Sequence, residues 1–282
     1  MGRTENINVF QDTMNLCKNN DRIRESVHNS AEGQKLILEG DAIAEPDKKR
    51  YKEKARITVS KKRTFEAASG YRGTKTAVHN FASASNPGGG VERGANAQEE
   101  CLCRCSGLFK CLNVPDAWSG FYMTHRAEHN PIHNDDIIYT PDVLVFKSDT
   151  VKPELMDETD WYNVDVITCA APNLREKPSN AFNTGDGKDA IKITDKDLLA
   201  IHEKRLRRIL DVALSNKVET IVLGAFGCGA FMNNPNVVAQ ASKNVVNEYL
   251  YAFKNIEFAV YCSPKDDTNY RIFDRVLKPY TK

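Results

Sequence analysis

No stretch of this 282-residue chain approaches the ~20 consecutive apolar residues of a membrane-spanning helix. The opening residues, MGRTENINVFQD, also lack the apolar core of a secretory signal. A soluble, intracellular (cytoplasmic) protein with no membrane partner is therefore expected. An excess of charge is missing too: 39 Lys and Arg against 38 Asp and Glu leave +1. That is too little for a coat that grips polyanions wholesale, so no sequence-specific nucleic-acid partner is expected. No glycine loop is followed by the Lys-Ser/Thr of a Walker A motif, which argues against a nucleotide triphosphatase. No Ser-His-Asp order or reactive-cysteine context competes for chemistry. Internal repeats and interdomain linkers are absent as well.

What is present is an ordinary globular balance, 41% apolar and 27% charged residues, enough for a full core. The eight cysteines read as reduced thiols in a chain without an export signal. Cys101, Cys103, Cys105 and Cys111, with His125, His129 and His133 downstream, invite a zinc reading. If residues 98 to 112 are helical, however, Cys101 and Cys105 share a face while Cys103 lies about 200° round, so the three do not close on one ion. Neither metal nor cofactor is expected, and the three histidines read as exposed loop residues.

Apolar spacing over residues 5 to 37 predicts two helices broken near Lys18 to Asp21, an accessory helical region taken as residues 1–55 that extends the main domain over 56–282 as one compact unit. The basic stretch 45 to 63 surrounds a short strand at Ile57 to Ser60 and reads as a solvated connector or an attractor of polyanions. A short helix over Thr64 to Ala68 precedes a buried strand, Thr76 to Ser83. Asn113 to Asp136 has no clean period and is expected to be a long surface excursion. Ile137 to Phe146, interrupted by Pro141, reads as a hairpin-like pair, and Val164 to Ala171 as a second buried strand. A polar loop from Arg175 to Asp189 is followed by a helix capped by Asp195 and reaching Ser215. Then come a strand (Glu219 to Leu223), a glycine loop, a helix (Pro235 to Phe253), a strand (Ile256 to Tyr261) and a last helix (Asn269 to Leu277).

Two glycine-rich stretches carry the chemistry. In NPGGGVERGANAQEE (Asn86 to Glu100), three glycines stand seven residues ahead of Gln-Glu-Glu. Gly88, Gly89 and Gly90 allow positive φ and let a substrate lie against main-chain N–H groups. The following residues, 97 to 112, read as one helix, which puts Gln98, Glu99 and Glu100 in a first turn that favours ionised carboxylates. Adjacent carboxyls and an anionic substrate act in the opposite direction and raise a carboxyl pKa, as a general acid requires. A solvated helix start is the plain alternative. GAFGCGAF (Gly224 to Phe231) repeats the order strand, glycine loop, helix, which describes an anion site of main-chain amides. Phe226 and Phe231 are open between core aromatics and rings that pack on a ribose.

Strands alternating with helices, with both glycine loops at strand ends, predict an α/β domain of three layers with its ligand crevice there. The GGG-x7-QEE spacing resembles the signature of poly(ADP-ribose) glycohydrolases, whose catalytic domain is a macrodomain, an α/β/α sandwich around a mixed sheet. NFASASNPGGG and GAFGCGAF are similar to the short, microbial-type branch, and the resemblance runs through almost the whole chain. It implies hydrolysis of the ribose–ribose O-glycosidic bond of poly(ADP-ribose) with ADP-ribose as product. It further implies Glu100 as catalytic acid/base, Glu99 on a ribose hydroxyl, and Asn86 orienting the scissile ribose. Gly88, Gly89, Gly90 and Val91 would wrap the pyrophosphate and proximal ribose, with Gln98 also at the substrate. Gly227, Cys228, Gly229, Ala230 and Phe231 would hold the pyrophosphate from the other side. Two other readings remain open: a hydrolase acting on mono-ADP-ribosylated macromolecules, and a module that binds ADP-ribose without cleaving it.

Overall fold

The computed structural model describes residues 1–44, 46–175 and 191–281. The expected loop after Arg175 lies outside them.

The N-terminal segment forms α1 (Arg3–Asn19) and α2 (Asp21–Glu32), with Asn20 accepting from Ile23 N at 3.1 Å to cap the second helix. It then supplies a strand that the helical pattern concealed, β1 (Lys35–Ile37), and after it come β2 (Arg56–Ser60), α3 (Thr64–Ala68) and β3 (Thr76–Phe81). The predicted long helix is broken into α4 (Gln98–Cys105) and α5 (Leu108–Leu112). Ser106 causes the break: its backbone is extended, it bridges to Val145, and its hydroxyl back-bonds to Leu102 O at 2.8 Å.

The excursion between Asn113 and Asp136 is structured. It contains α6 (Pro115–Ala117), a π-helical turn over Trp118–Tyr122, and α7 (Met123–Glu128). His129 is exposed, but His125 and His133 are buried, contrary to expectation. His125 spans Phe121 O (2.8 Å) and Asn134 Oδ1 (2.9 Å). Burial, and next the charge of Arg205, lowers His133 to about 3. The segment is anchored by Arg205, itself buried, whose guanidinium donates to Asp135 Oδ1, Ala170 O, Ile132 O and His133 O.

The predicted hairpin is a single strand, β4 (Ile137–Val145). Pro141 and Asp142 bulge out between the pairs Thr140↔Val166 and Val143↔Val164, and Asp142 takes φ +50° while its N–H donates to Asp165 Oδ1 at 3.0 Å. Pro141 interrupts the ladder without reversing the chain. β5 (Tyr162–Cys169) follows, then α8 (Asp195–Ser215), whose cap is Thr194 accepting from Asp197 N at 3.1 Å; Asp195 is the first helical residue rather than the cap. β6 (Thr220–Leu223), α9 (Pro235–Glu248), β7 (Asn255–Ala259) and α10 (Thr268–Leu277) complete the order.

The seven-stranded sheet runs β1-β4-β5-β3-β6-β7-β2. β4 is antiparallel to both neighbours, and the pairs from β5 to β2 are parallel. One core lies between the sheet and α8, α9 and α10, built on residues such as Ile209, Val245 and Phe273. A second lies on the opposite face, where Leu102, Leu108 and Phe121 of the earlier helices pack on Val78, Val166 and Val222. This is the expected three-layer α/β/α sandwich with a mixed sheet, and both buried strand faces explain why the central strands read as unbroken apolar runs. No helix among the described residues is long and apolar enough to cross a membrane.

Candidate functional site

A cleft of ≈ 830 Å³ opens where β3, β5, β6 and β7 end, touching Phe81, Ala171, Ala225 and Ala259 at or just beyond their carboxyl termini. Parallel strands deliver their following loops to this edge, and two of those loops are the glycine stretches.

The first loop is shaped by glycines that a side chain could not replace. Gly88 and Gly89 have φ of +63° and +59°, and a Cβ on Gly89 would stand 2.7 Å from Glu100 Oε1 and 3.1 Å from Glu99 Oε2. The turn therefore closes directly on the two carboxyls at the start of α4. Gly90 N donates to Glu100 Oε1 at 2.9 Å, whereas Glu100 Oε2, though buried, has no hydrogen-bond partner among the described residues. Glu99 is differently served: Ser83 N donates to Oε2 at 2.8 Å and Asn80 Nδ2 to Oε1 at 3.4 Å. Burial, and after it the charge of Glu100, pushes the Glu99 carboxyl well above the ordinary range, against the pull of its N–H donors.

The other expected site residues divide into those that face the cleft and those that build it. Asn86, Gly89, Gly90, Gly227, Gly229, Ala230 and Phe231 line it with the two glutamates. Gly88 and Val91 make the turn from behind: Val91 N bonds Gly88 O and its side chain is wholly buried in the core. Gln98 also lines the cleft, yet its amide is spent on protein, accepting from Phe81 N (2.9 Å) and donating to His79 O (2.7 Å) and Thr64 Oγ1 (3.1 Å), so it seats α4 on β3. Cys228 turns from the cleft into the main core, where burial raises its thiol, and its N–H is taken by Ala225 O. Of the two open aromatics, Phe226 is a core ring, 4.4 Å from His79 and 5.6 Å from His202, and Phe231 stands in the cleft wall.

Several residues essential to this geometry carried no motif. Arg126, from the excursion, donates to Asn86 Oδ1 (2.6 Å) and Ser85 O (2.7 Å), fixing the residue before the glycines. Buried Arg104 holds the far side of the turn through Ala95 O (2.7 Å) and Asn96 Oδ1 (2.6 Å). The second loop hangs on Asn233, whose Nδ2 reaches Pro172 O (2.7 Å), Gly227 O (3.1 Å) and Phe231 O (3.2 Å) while Oδ1 takes His202 Nε2 at 2.8 Å. At another part of the cleft Asp149, which burial pushes up to about 6, stands 4.0 Å from Arg63, and Arg63 stacks on Tyr261 at 4.0 Å. None of these contacts has a sequence spacing that would announce it; only the surplus of buried Arg, Asn and His in otherwise apolar elements hints at them.

Residues 4–148, just over half of the chain, match the family described as the microbial-type PARG catalytic domain. The chain belongs to the microbial-type poly(ADP-ribose) glycohydrolase family. Solved structures agree. The chain is similar to poly(ADP-ribose) glycohydrolase from Thermomonospora curvata, at 27% identity over 97% of this chain and 99% of that one, with a TM-score of 0.80. The same glycohydrolase bound to the inhibitor ADP-HPD gives 27% identity, 96% and 98% coverage and a TM-score of 0.78. The enzyme from Deinococcus radiodurans in complex with ADP-ribose gives 30% identity, 90% and 97% coverage and a TM-score of 0.74. No curated protein sequence matches.

Proposed function

We propose that this glycohydrolase family member cleaves the ribose–ribose O-glycosidic bonds of poly(ADP-ribose) and releases ADP-ribose, with Glu100 as general acid and then general base. The observation that carries the reading is the asymmetry of the carboxyl pair. Both Glu99 oxygens are taken up by protein N–H donors, and Glu100 Oε2 is the oxygen left without one among the described residues. In this reading Glu100 Oε2, which no protein donor occupies among the described residues, delivers the proton to the departing ribose oxygen. As that bond breaks, the ribose acquires oxocarbenium character, and the resulting Glu100 carboxylate takes a proton from the attacking water. Glu99 keeps free lone pairs for a ribose hydroxyl, and Asn86, held by Arg126, orients the scissile sugar.

The pyrophosphate is read into the space between Gly89 and Gly90 on one side and Gly227, Gly229 and Ala230 on the other, with Phe231 against a ribose. In this reading Gly88, Val91, Gln98 and Cys228 act by shaping these walls. No metal or cofactor has a role in it. Residues 1–55 belong to the working unit with 56–282, because β1 is paired into the sheet and Asn6 Nδ2 donates to Gly94 O at 3.0 Å, on the catalytic turn. The reaction is assigned to the cytoplasm.

Incubation with end-labelled polymer followed by product sizing tests the proposal. Progressive shortening with accumulation of ADP-ribose is expected. Release of ADP-ribose from singly modified protein without chain shortening would move the site to mono-ADP-ribosyl hydrolysis, and tight binding without turnover would make it a reader.

A further inference from the structure

The rim beside Glu100 carries two guanidinium groups with no task in the site described so far. Arg93 follows the glycine turn and Arg3 opens α1; both line the cleft, and both are exposed. A Cβ placed on Gly90 would lie 3.6 Å from Glu100 Oε1 and 4.0 Å from Arg93 Nη2, so a single small group separates the acid from this cation. Among the described residues neither arginine side chain has an ion pair or hydrogen bond. The contrast with Arg63 in the same cleft is direct, since Arg63 is committed to Cys101 (3.3 Å), Asp149 and Tyr261.

The placement of Arg3 is built rather than incidental. Asn6 bonds Gly94 O, and Thr13 Oγ1 donates to Arg104 O at 2.6 Å, which fastens α1 along the catalytic turn and α4. Gly94 has φ +73°, and a Cβ there would collide with the carbonyl of Arg3. The contact between the turn and the first residue of α1 is thus as close as a backbone allows.

Resting on the reading of polymer cleavage, we propose that Arg3 and Arg93 form a subsite for the pyrophosphate of the ADP-ribose unit on the departing side of the scissile bond. Glu100 must meet the departing oxygen, so the unit attached to that oxygen leaves past the residues flanking Glu100 on the outside of the turn. Each unit of the polymer brings a pyrophosphate, and a guanidinium fork matches phosphate oxygens with two parallel hydrogen bonds. The N-terminal helix thereby contributes a cation to recognition of the leaving group.

Two substrates separate this from the site for the retained unit: poly(ADP-ribose), and ADP-ribose carrying an uncharged nitrophenyl group at the scissile carbon. The double variant Arg3→Ala/Arg93→Ala is expected to lower kcat/KM on polymer by at least ~5-fold relative to the nitrophenyl glycoside, and to flatten the salt dependence of the polymer reaction. Arg93→Lys, in the Arg3→Ala background, should recover part of the loss. Equal falls on both substrates would assign the arginines to the shared ADP-ribose, and unaltered polymer cleavage would remove the subsite alone. Failure of the wild-type protein to cleave polymer would instead sink the polymer reading, and the subsite with it.

Discussion

The two glycine loops face each other across one cleft, but they are held by different means. The first, from Asn86 to Ala95, is gripped from four directions: Arg126 on Asn86, Glu100 on Gly90, Asn6 on Gly94 and Arg104 on Ala95. Among the described residues the second, from Gly227 to Phe231, is held by one side chain, the amide of Asn233, beside backbone bonds such as Leu174 N to Phe231 O at 3.0 Å. Charged groups that must be aligned to a reacting bond are locked by many independent contacts. A cradle of main-chain N–H groups needs only its curvature, which one amide bridging three carbonyls can set. The difference predicts that damage confined to the carboxyls that the first loop holds appears in turnover, and damage to the second loop in affinity.

The largest effect is expected from Gly89→Val, which strikes where the first loop meets its carboxyls. A Cβ there stands 2.7 Å from Glu100 Oε1 on a residue at φ +59°, a region that β-branched residues avoid. Both ADP-ribose binding and turnover should vanish. Calorimetric titration of a variant that still melts cooperatively checks this, and retained tight binding would show that the turn does not meet the ligand.

Glu100→Gln sharpens the comparison by removing only the transferable proton. Turnover should fall by the ~10²–10⁴ that positioned proton transfer contributes, with ADP-ribose affinity held within a few-fold. Glu99→Gln should leave more activity, since in the proposed reading it disturbs ribose orientation and leaves the acid/base group in place. Near-normal polymer cleavage by folded Glu100→Gln protein would overturn the assignment.

The same two loops show what the sequence could express. Gly-Gly-Gly and Gln-Glu-Glu stand close together along the chain, and the turn that joins them is local, so spacing alone placed both glutamates at the head of α4. The supports are different in kind: Arg126 lies 40 residues from Asn86, and His202 31 residues from Asn233. Helical or strand periodicity cannot register a pairing across such separations. It also misassigned 113 to 136, because a π-turn and short helices anchored by Arg205 bury histidines without any 3.6-residue pattern. β1 was hidden for the same reason: three residues paired to β4 leave no alternation to detect.

Asn233→Asp tests the second loop with almost no change of shape. Its new oxygen would face the carbonyls of Pro172, Gly227 and Phe231 where Nδ2 now donates. Leaving such acceptors unpaired costs about 1–3 kcal/mol, so ADP-ribose affinity should weaken on the order of 10- to 100-fold. kcat at saturating substrate should change much less, because Glu99 and Glu100 are untouched. A kcat loss equal to that of Glu100→Gln would erase the proposed division between the loops.

The smallest effect is expected one step further back, at His202. Burial lowers His202 to about 4, and lowers His79 and His133 to about 3, each from 6.5. The native state keeps these rings neutral, whereas the unfolded chain protonates them near pH 6.5, so unfolding takes up protons. Their stabilising contribution is complete above about pH 6.5 and is lost as pH falls towards 4 and then 3. His202→Gln removes one of these titrations while its amide N–H can still donate to Asn233 Oδ1, as Nε2 does now at 2.8 Å. Activity should stay within about twofold of wild type, since the hydrogen bond that holds the loop is kept. The melting temperature should fall less steeply between pH 6.5 and 4 than in the wild type. His202→Leu, which cannot donate, should instead behave as a weaker form of Asn233→Asp, with reduced affinity and preserved kcat. If Gln and Leu are equally harmful, the ring serves only to fill space, and Asn233 does not depend on it to hold the second loop.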